Sequence, residues 1–531
     1  MTDSVTILTD ALIVDGSGCD AFLGEVWMAD GSITRISAIG ETHPSNAVVV
    51  DVGGRVLAPG FIDVHSHADN AAFLGHHDTS KILQGVTTEV TGNCGMTLAP
   101  RSDLYRDELA AYAGRLFPAT VWSGESFRDF WQSAETRGLV THVAPLVGQG
   151  TLRIMAMGLE DRTPTDRERQ RMHQALRAAM DAGAFGLSTG LIYPPGTFTP
   201  TEEIIDLCRQ LEHGLYASHL RGESLLLEES VAEALEIGRE ANVAVQLSHH
   251  KAAGSQNWGK TVKTLAAVDR ARAAGQAVRL DVYPYTASST MLTACLPSWT
   301  EVGGHDATIR RLTDPSTQRQ IRRDIEEGLP GWENHLESAG VDGILLCTTA
   351  DHEYEGQTLA EAAKCLDMDP VSALFHILVQ EDLRVSMIVF SMDDQDLERV
   401  LRYPWTMIGS DGLPPGSGGR PHPRLFGTFP RVLGRYVREV PILGLEQAVY
   451  KMTGLPADTF GLQKRGLIRE GYRADLVVFS ADTIADTGTY GGLPSSPSGI
   501  YQVYQEGHLV VDGGQYLGTP RGRWLKHHVE T

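Results

Sequence analysis

At 531 residues the chain is too long for one ordinary compact domain of about 100–200 residues, and a large barrel carrying a smaller module suits it better. Its 42% hydrophobic and 21% charged residues match globular usage and exclude a disordered or fibrous chain. A net charge of −22 has the wrong sign for a nucleic-acid backbone or an anionic membrane surface, so neither partner is expected.

The amino end, MTDSVTILTDALIVDGSG, has no basic segment followed by an apolar core, and no run of about 18 apolar residues follows anywhere. A cytoplasmic protein without a membrane span is therefore expected. Residues 1–57 alternate in short strand-like pieces separated by Asp-Gly and Gly-Gly, the punctuation of hairpins. The segment 462–531 returns to that style in LIREGYRADLVVFS and GIYQVYQEGHLVVDGGQYL. Two β-rich ends around a different middle predict a small β-sandwich built from both termini.

Between them, 58–461 alternates short apolar strands with longer helical patterns. Thr165–Asp181 opens with a Thr165/Glu168 capping box and carries Met172, Leu176 and Met180 at helical spacing. Thr199-Pro200-Thr201-Glu202 starts another helix with Pro200 at its first position, and further helices cover about Ser224–Glu240 and Thr261–Ala274. Eight strands are expected: Phe61–His65, Thr88–Thr91, Val143–Val147, Phe185–Ser188, Leu215–Ser218, Ala244–Ser248, Ala277–Tyr283 and Thr406–Ser410. Eight strands with interleaved helices predict an α/β fold, a (β/α)8 barrel of the TIM type. The connection before the eighth strand is too long for one crossover helix and predicts an inserted subdomain at about 292–345.

Barrel chemistry sits at the carboxyl ends of the strands. His65 and His67 (FIDVHSH) end the first strand, and residues i and i+2 project to the same side. Cys94 (TGNCG) follows the second, His219 (YASHLRGE) the fifth, His249 (QLSHHK) the sixth and Asp411 (IGSDG) the eighth. His65 to Cys94 is 29 residues and His219 to His249 is 30, each about one βα unit, so the ligands fall on neighbouring strands. Imidazole, thiolate and carboxylate together suit zinc, Zn2+. The other five cysteines (Cys19, Cys208, Cys295, Cys347, Cys365) form no CxxC pair and read as small hydrophobes of a reduced protein.

PGFIDVHSH, TGNCG, SHLRGE, SHHK, DVYPY and MIGSDG, with RPHPRLFGTFPRVL and GYRADLVVF, resemble the D-aminoacylase (N-acyl-D-amino-acid deacylase) branch of the amidohydrolases, from about Leu57 to Gly513. The resemblance implies hydrolysis of N-acyl-D-amino acids, and the D handedness comes from it alone. It implies that Cys94, His219 and His249 hold one tight zinc, while His65, His67 and Asp411 form a second, weaker metal site. Zinc would lower the pKa of its water, and Asp411 would act as general base and then acid. The small-molecule substrate also carries an α-carboxylate, for which Lys251, Tyr283, Ser289 and Arg424 are the candidates; the fork of Arg424 is the first choice. Tyr193 is expected to line the acyl or side-chain pocket, His250 to be structural, and Arg221 and Glu223 to form supporting ion pairs.

Two other readings stand beside this one. A cyclic-amide hydrolase similar to hydantoinases and dihydroorotases would use a bridging lysine around strand four, where this chain reads FGLSTGLIY. A catalytically silent homologue would have lost ligand positions, and here all six are filled.

Overall fold

In the computed structural model, which describes residues 5–117, 122, 124–413 and 419–527, Phe61–Asp63 pairs in parallel with Val86–Thr91, and that strand with His142–Pro145. A second parallel run follows the order Val147–Gly148, Gly186–Gly190, Leu215–His219, Ala244–Leu247, Val278–Val282 and Thr406–Ile408. The third strand joins the two runs across Pro145 and Leu146, and a parallel bridge from Ser66 to Gly412 brings the eighth strand to the first. The ring is the expected (β/α)8 barrel, with all eight strands in the order read from the sequence.

Alternation along the strands feeds two cores. Ile62, Val64, Val90, Ala144, Leu146, Ala217 and Met407 pack with Leu455 and Phe460 of the helix Gly454–Phe460. The residues between them, including Phe61, Val147, Leu187, Tyr216 and Leu247, join the large cluster made with the surrounding helices. Those helices start where the sequence signals them. Asp166–Ala182 has both hydrogen bonds of the Thr165/Glu168 capping box and ends on Gly183 in the left-handed region, φ 108°. Pro200 is the boundary residue before the helix Thr201–Cys208, one position earlier than expected.

Both ends of the chain meet in one nine-stranded sheet. Thr6–Ile13 pairs with Phe22–Ala29, Val48–Asp51 and Val56–Pro59, and Val56–Pro59 pairs antiparallel with Leu476–Phe479. Ile500–Gln505, His508–Asp512 and Gln515–Tyr516 continue from there. Leu57, Leu476 and Val478 face a small core with Leu8, Val26 and Ile33, whereas Val56, Val477 and Phe479 face the large cluster. Period-two alternation thus gives the terminal sheet a core of its own and a face against the barrel.

Between strands seven and eight the chain builds a second body. Ser288–Met291, Ser386–Val389 and Ile344–Thr348 form an antiparallel sheet with Ser386–Val389 at its centre. Helices Gly304–Thr313, Pro315–Glu327, Leu359–Cys365 and Pro370–Gln380 pack on it around Leu312, Ile321, Leu359 and Leu378. The inserted body therefore runs from Ser288 to Val389, beyond the 292–345 expected. Its last two helices have proper caps, at Thr358 and Asp369, which read locally like those of barrel helices. Among the described residues no helix is long and apolar enough to cross a membrane.

Candidate active site

All six ligand-type residues converge at the carboxyl end of the barrel. His65 and His67 follow the first strand, Cys94 lies three residues past the second, and His219 is the last residue of the fifth. His249 lies two residues past the sixth strand and Asp411 three past the eighth. Cys94 Sγ is 3.3 Å from His65 Nε2 and 3.5 Å from His249 Nε2. Asp411 Oδ1 is 3.2 Å from His67 Nε2 and 3.5 Å from His65 Nε2. Ligand atoms of His65, Cys94, His249 and Asp411 all lie within 4.8 Å of one another, and so do those of His219, Glu223 and His249.

Three of these residues occupy a costly backbone conformation. Cys94, His249 and Asp411 have φ of 53°, 36° and 48°, a left-handed geometry that costs about 1–3 kcal/mol per residue. The surrounding backbone holds them there. Asp411 N–H donates to His65 O at 2.7 Å and His67 N–H donates to Gly412 O at 3.1 Å, locking strand eight to strand one. The loop bearing Cys94 lies against Gly190, where a Cβ would stand 2.1 Å from the Cys94 carbonyl oxygen. Only glycine permits that approach.

The charges are mutually set. Burial would raise the Cys94 thiol, but His65 and His249 beside it hold it well below the usual thiol range. Burial would also raise Asp411, yet Arg424, His65 and His249 keep its carboxyl well below the usual carboxylate value. Both ring nitrogens of His219 and the Nδ1 of His67 are buried without a hydrogen-bond partner. A thiolate, a carboxylate and unpartnered imidazole nitrogens in one buried cluster form a donor set that fits a zinc-type cation.

Asp281 was missed by the sequence reading. Asp281, at the end of strand seven, accepts from His249 N–H at 2.8 Å and lies 3.2 Å from His65 Nδ1, which turns His65 Nε2 towards the cluster. Glu223 was expected only as a supporting ion pair. It pairs with Lys251 and lies 3.0 Å from His249 Nδ1, while Arg221 pairs with Glu233 at 2.8 Å. The DVYPY and SHLRGE motifs contain both acids, and that is the one local signal for them. His250 donates or accepts at Thr264 Oγ1, 2.8 Å away, in the structural role expected.

The expected substrate residues separate into two groups. Lys251, Ser289 and Tyr193 line the reaction cavity with Cys94 and His219, and the Tyr193 hydroxyl meets Thr290 Oγ1 at 2.7 Å. Tyr283 and Arg424 are fully buried, with the guanidinium 4.5 Å above the Tyr283 ring. Arg424 Nη1 is 2.9 Å from Asp411 Oδ2 but poorly aligned with it, so Nη1 and Nε lack a hydrogen-bond acceptor, while Nη2 donates to Ser289 O. Arg424 lines an adjoining chamber that shares Leu116, Ser289, Met291 and Leu413 with the reaction cavity.

The inserted body also reaches the site. Glu333 accepts from the Glu223 N–H at 3.0 Å, and His335 lines the cavity with its buried Nε2 unpartnered. Burial pushes the His335 imidazole down to about 4, so it is neutral at ordinary pH.

Residues 48–487 match the model of the amidohydrolase family. The chain is 38% identical to an N-acyl-D-aspartate deacylase of Alcaligenes xylosoxydans xylosoxydans over 96% of this chain and 92% of that one. It is also 38% identical to a D-aminoacylase of the same organism, over 98% of this chain and 97% of the relative. The structure is similar to that of an N-acyl-D-glutamate deacylase of Bordetella bronchiseptica complexed with zinc and a phosphonate mimic of the tetrahedral intermediate. The TM-score is 0.83 at 35% identity, covering 98% of this chain and 99% of that one.

Proposed function

The chain belongs to the amidohydrolase family, and from that premise we propose that it cleaves the amide bond of N-acyl-D-amino acids, releasing a D-amino acid and a carboxylate in a metal-dependent reaction. The observation that carries this reading is the buried convergence of His65, Cys94, His249 and Asp411 within 4.8 Å, at the catalytic end of a barrel. Cys94, His219 and His249 would hold the tighter zinc; His65, His67 and Asp411 would form the second site. Bound there, zinc supplies Lewis acidity and lowers the pKa of a nearby water.

The chain's own residues do the rest. Asp411, held anionic by Arg424 and the imidazoles, accepts a proton from the attacking water and delivers it to the leaving amine nitrogen. The free N–H groups of Arg424, with Lys251 and Ser289, clamp the α-carboxylate and set the amide against Asp411. Tyr193 packs at 5.0 Å on the His219 ring and closes the wall beside the reacting carbonyl. Asp281 and Glu223 orient His65 and His249. The cyclic-amide reading needs a bridging lysine on strand four, and Gly186–Gly190 contains none.

A chiral product assay tests the proposal. Purified protein is given matched N-acetyl-D- and N-acetyl-L-amino acids before and after zinc chelation. Release of D-amino acids alone, lost on chelation and restored by zinc, is expected. Equal turnover of the L series, or turnover indifferent to chelation, would refute it.

A further inference from the structure

The three relatives described above are an N-acyl-D-aspartate deacylase, a D-aminoacylase and an N-acyl-D-glutamate deacylase, and similar identities do not separate them. The charges of the cavity do. Among the described residues that line the reaction cavity, Lys251 is the single lysine or arginine, and it is already paired with Glu223. Arg424 stands behind that wall, paired with Asp411. On the deacylase reading, a substrate α-carboxylate would take up the remaining donors of these two groups.

Apart from the ligand cluster, with Asp411 and Cys94, and the Glu223 carboxylate, the rest of the wall is uncharged. Met96, Leu116, Ile192, Met291 and Leu413 supply apolar surface, and His335 adds one neutral imidazole. In the adjoining chamber, Arg115 has its charge paired with Glu301, with Nε and Nη2 left without an acceptor, and Arg384 lies 3.7 Å from Asp382 with 53% of its side chain exposed.

We propose that this enzyme selects substrates whose α-carboxylate is their only charge, so that both the D-side chain and the acyl chain are neutral and mainly apolar. The inference rests on the deacylase reading above and narrows its substrate class. A second carboxylate entering this cavity would lose its water after the donors of Lys251 and Arg424 were taken by the first, and no further lysine or arginine lines the cavity among the described residues. Burying an unpaired ion of that kind is among the costliest exchanges a site can make. A side-chain ammonium meets the same obstacle, because Glu223 and Asp411 are both compensated.

The test uses the wild-type zinc-loaded protein. Initial rates are compared for the N-acetyl derivatives of D-methionine, D-leucine and D-phenylalanine against those of D-aspartate, D-glutamate and (Nα-acetyl) D-lysine. The neutral set is expected to exceed the charged set in kcat/KM by about 100-fold or more. An acidic or basic substrate within about tenfold of D-leucine overturns the selectivity and leaves the deacylase reading intact. Failure of every D-substrate with zinc bound overturns the deacylase reading, and the selectivity with it.

Discussion

Arg424 and Asp411 lie 2.9 Å apart at Nη1 and Oδ2, both buried, and the opposite oxygen of the same carboxylate faces His67 at 3.2 Å. One cation thus steadies the proposed proton carrier while keeping two of its own N–H groups free. Arg424→Lys preserves the charge but loses the fork. KM for N-acetyl-D-leucine should rise about tenfold or more, with a smaller fall in kcat. Steady-state kinetics on the two proteins check this, and an unchanged KM would remove Arg424 from the carboxylate clamp.

Asp411→Asn keeps the shape and deletes the base. Turnover should fall by a factor of about 100 or more while the tighter zinc, assigned to Cys94, His219 and His249 and read by elemental analysis, is retained. Near-normal kcat would show that the proton travels by another group.

Cys94→Ser should behave differently, because it alters the donor set rather than the proton path. We expect most of the zinc to be lost on dialysis against a mild chelator, and activity to return only at raised zinc concentration. Retention of zinc equal to the parent would exclude Cys94 as a ligand.

Gly190→Ala is the remote counterpart of that change. Its new methyl would meet the Cys94 carbonyl oxygen, and overpacking of this kind costs about 1–3 kcal/mol. A lower melting temperature together with weakened zinc retention is expected. Unchanged values for both would mean that the Cys94 loop can shift at no cost.

Lys451 gives a pH signature far from the chemistry. Burial pushes its amine down to about 7, at the start of strand eight where it donates to Tyr403 O and Thr406 O. An unfolded lysine titrates near about 10.4, so between these values the unfolded chain holds the extra proton. Stability from this site therefore rises as pH increases through that window, by up to about 1.4 kcal/mol per unit. The melting temperature of the parent relative to Lys451→Met should climb from pH 7 to the alkaline side. A constant difference would show a charged amine at both ends.

The barrel strands were legible because each is a short apolar run ending in a polar motif, and six of those motif residues meet in space. Asp281 was not assigned to the site, for a physical reason. The partner of Asp281 is His65, 216 residues away, and nothing local to strand seven announces that contact. The far boundary of the inserted body was hidden for a related reason. Thr358 and Glu361 make an ordinary capping box, and such a helix looks the same on a barrel as on an insertion. What decides its place is the pairing of Ser386–Val389 with strands that lie far earlier in the chain. Arg424 was chosen for its fork, but its pairing with Asp411 required the folded barrel.

The terminal sheet imposes a timetable on synthesis. Val56–Pro59 is bordered by Thr6–Ile13 on one side, but its other neighbour is Leu476–Phe479. A ribosome adding about 5–20 residues per second needs tens of seconds to make the intervening barrel and insertion. Throughout that interval the strand offers an open edge to any passing chain. The amino-terminal strands must wait for the last part of the polypeptide, and chaperone demand should peak before Leu476–Phe479 leaves the exit tunnel.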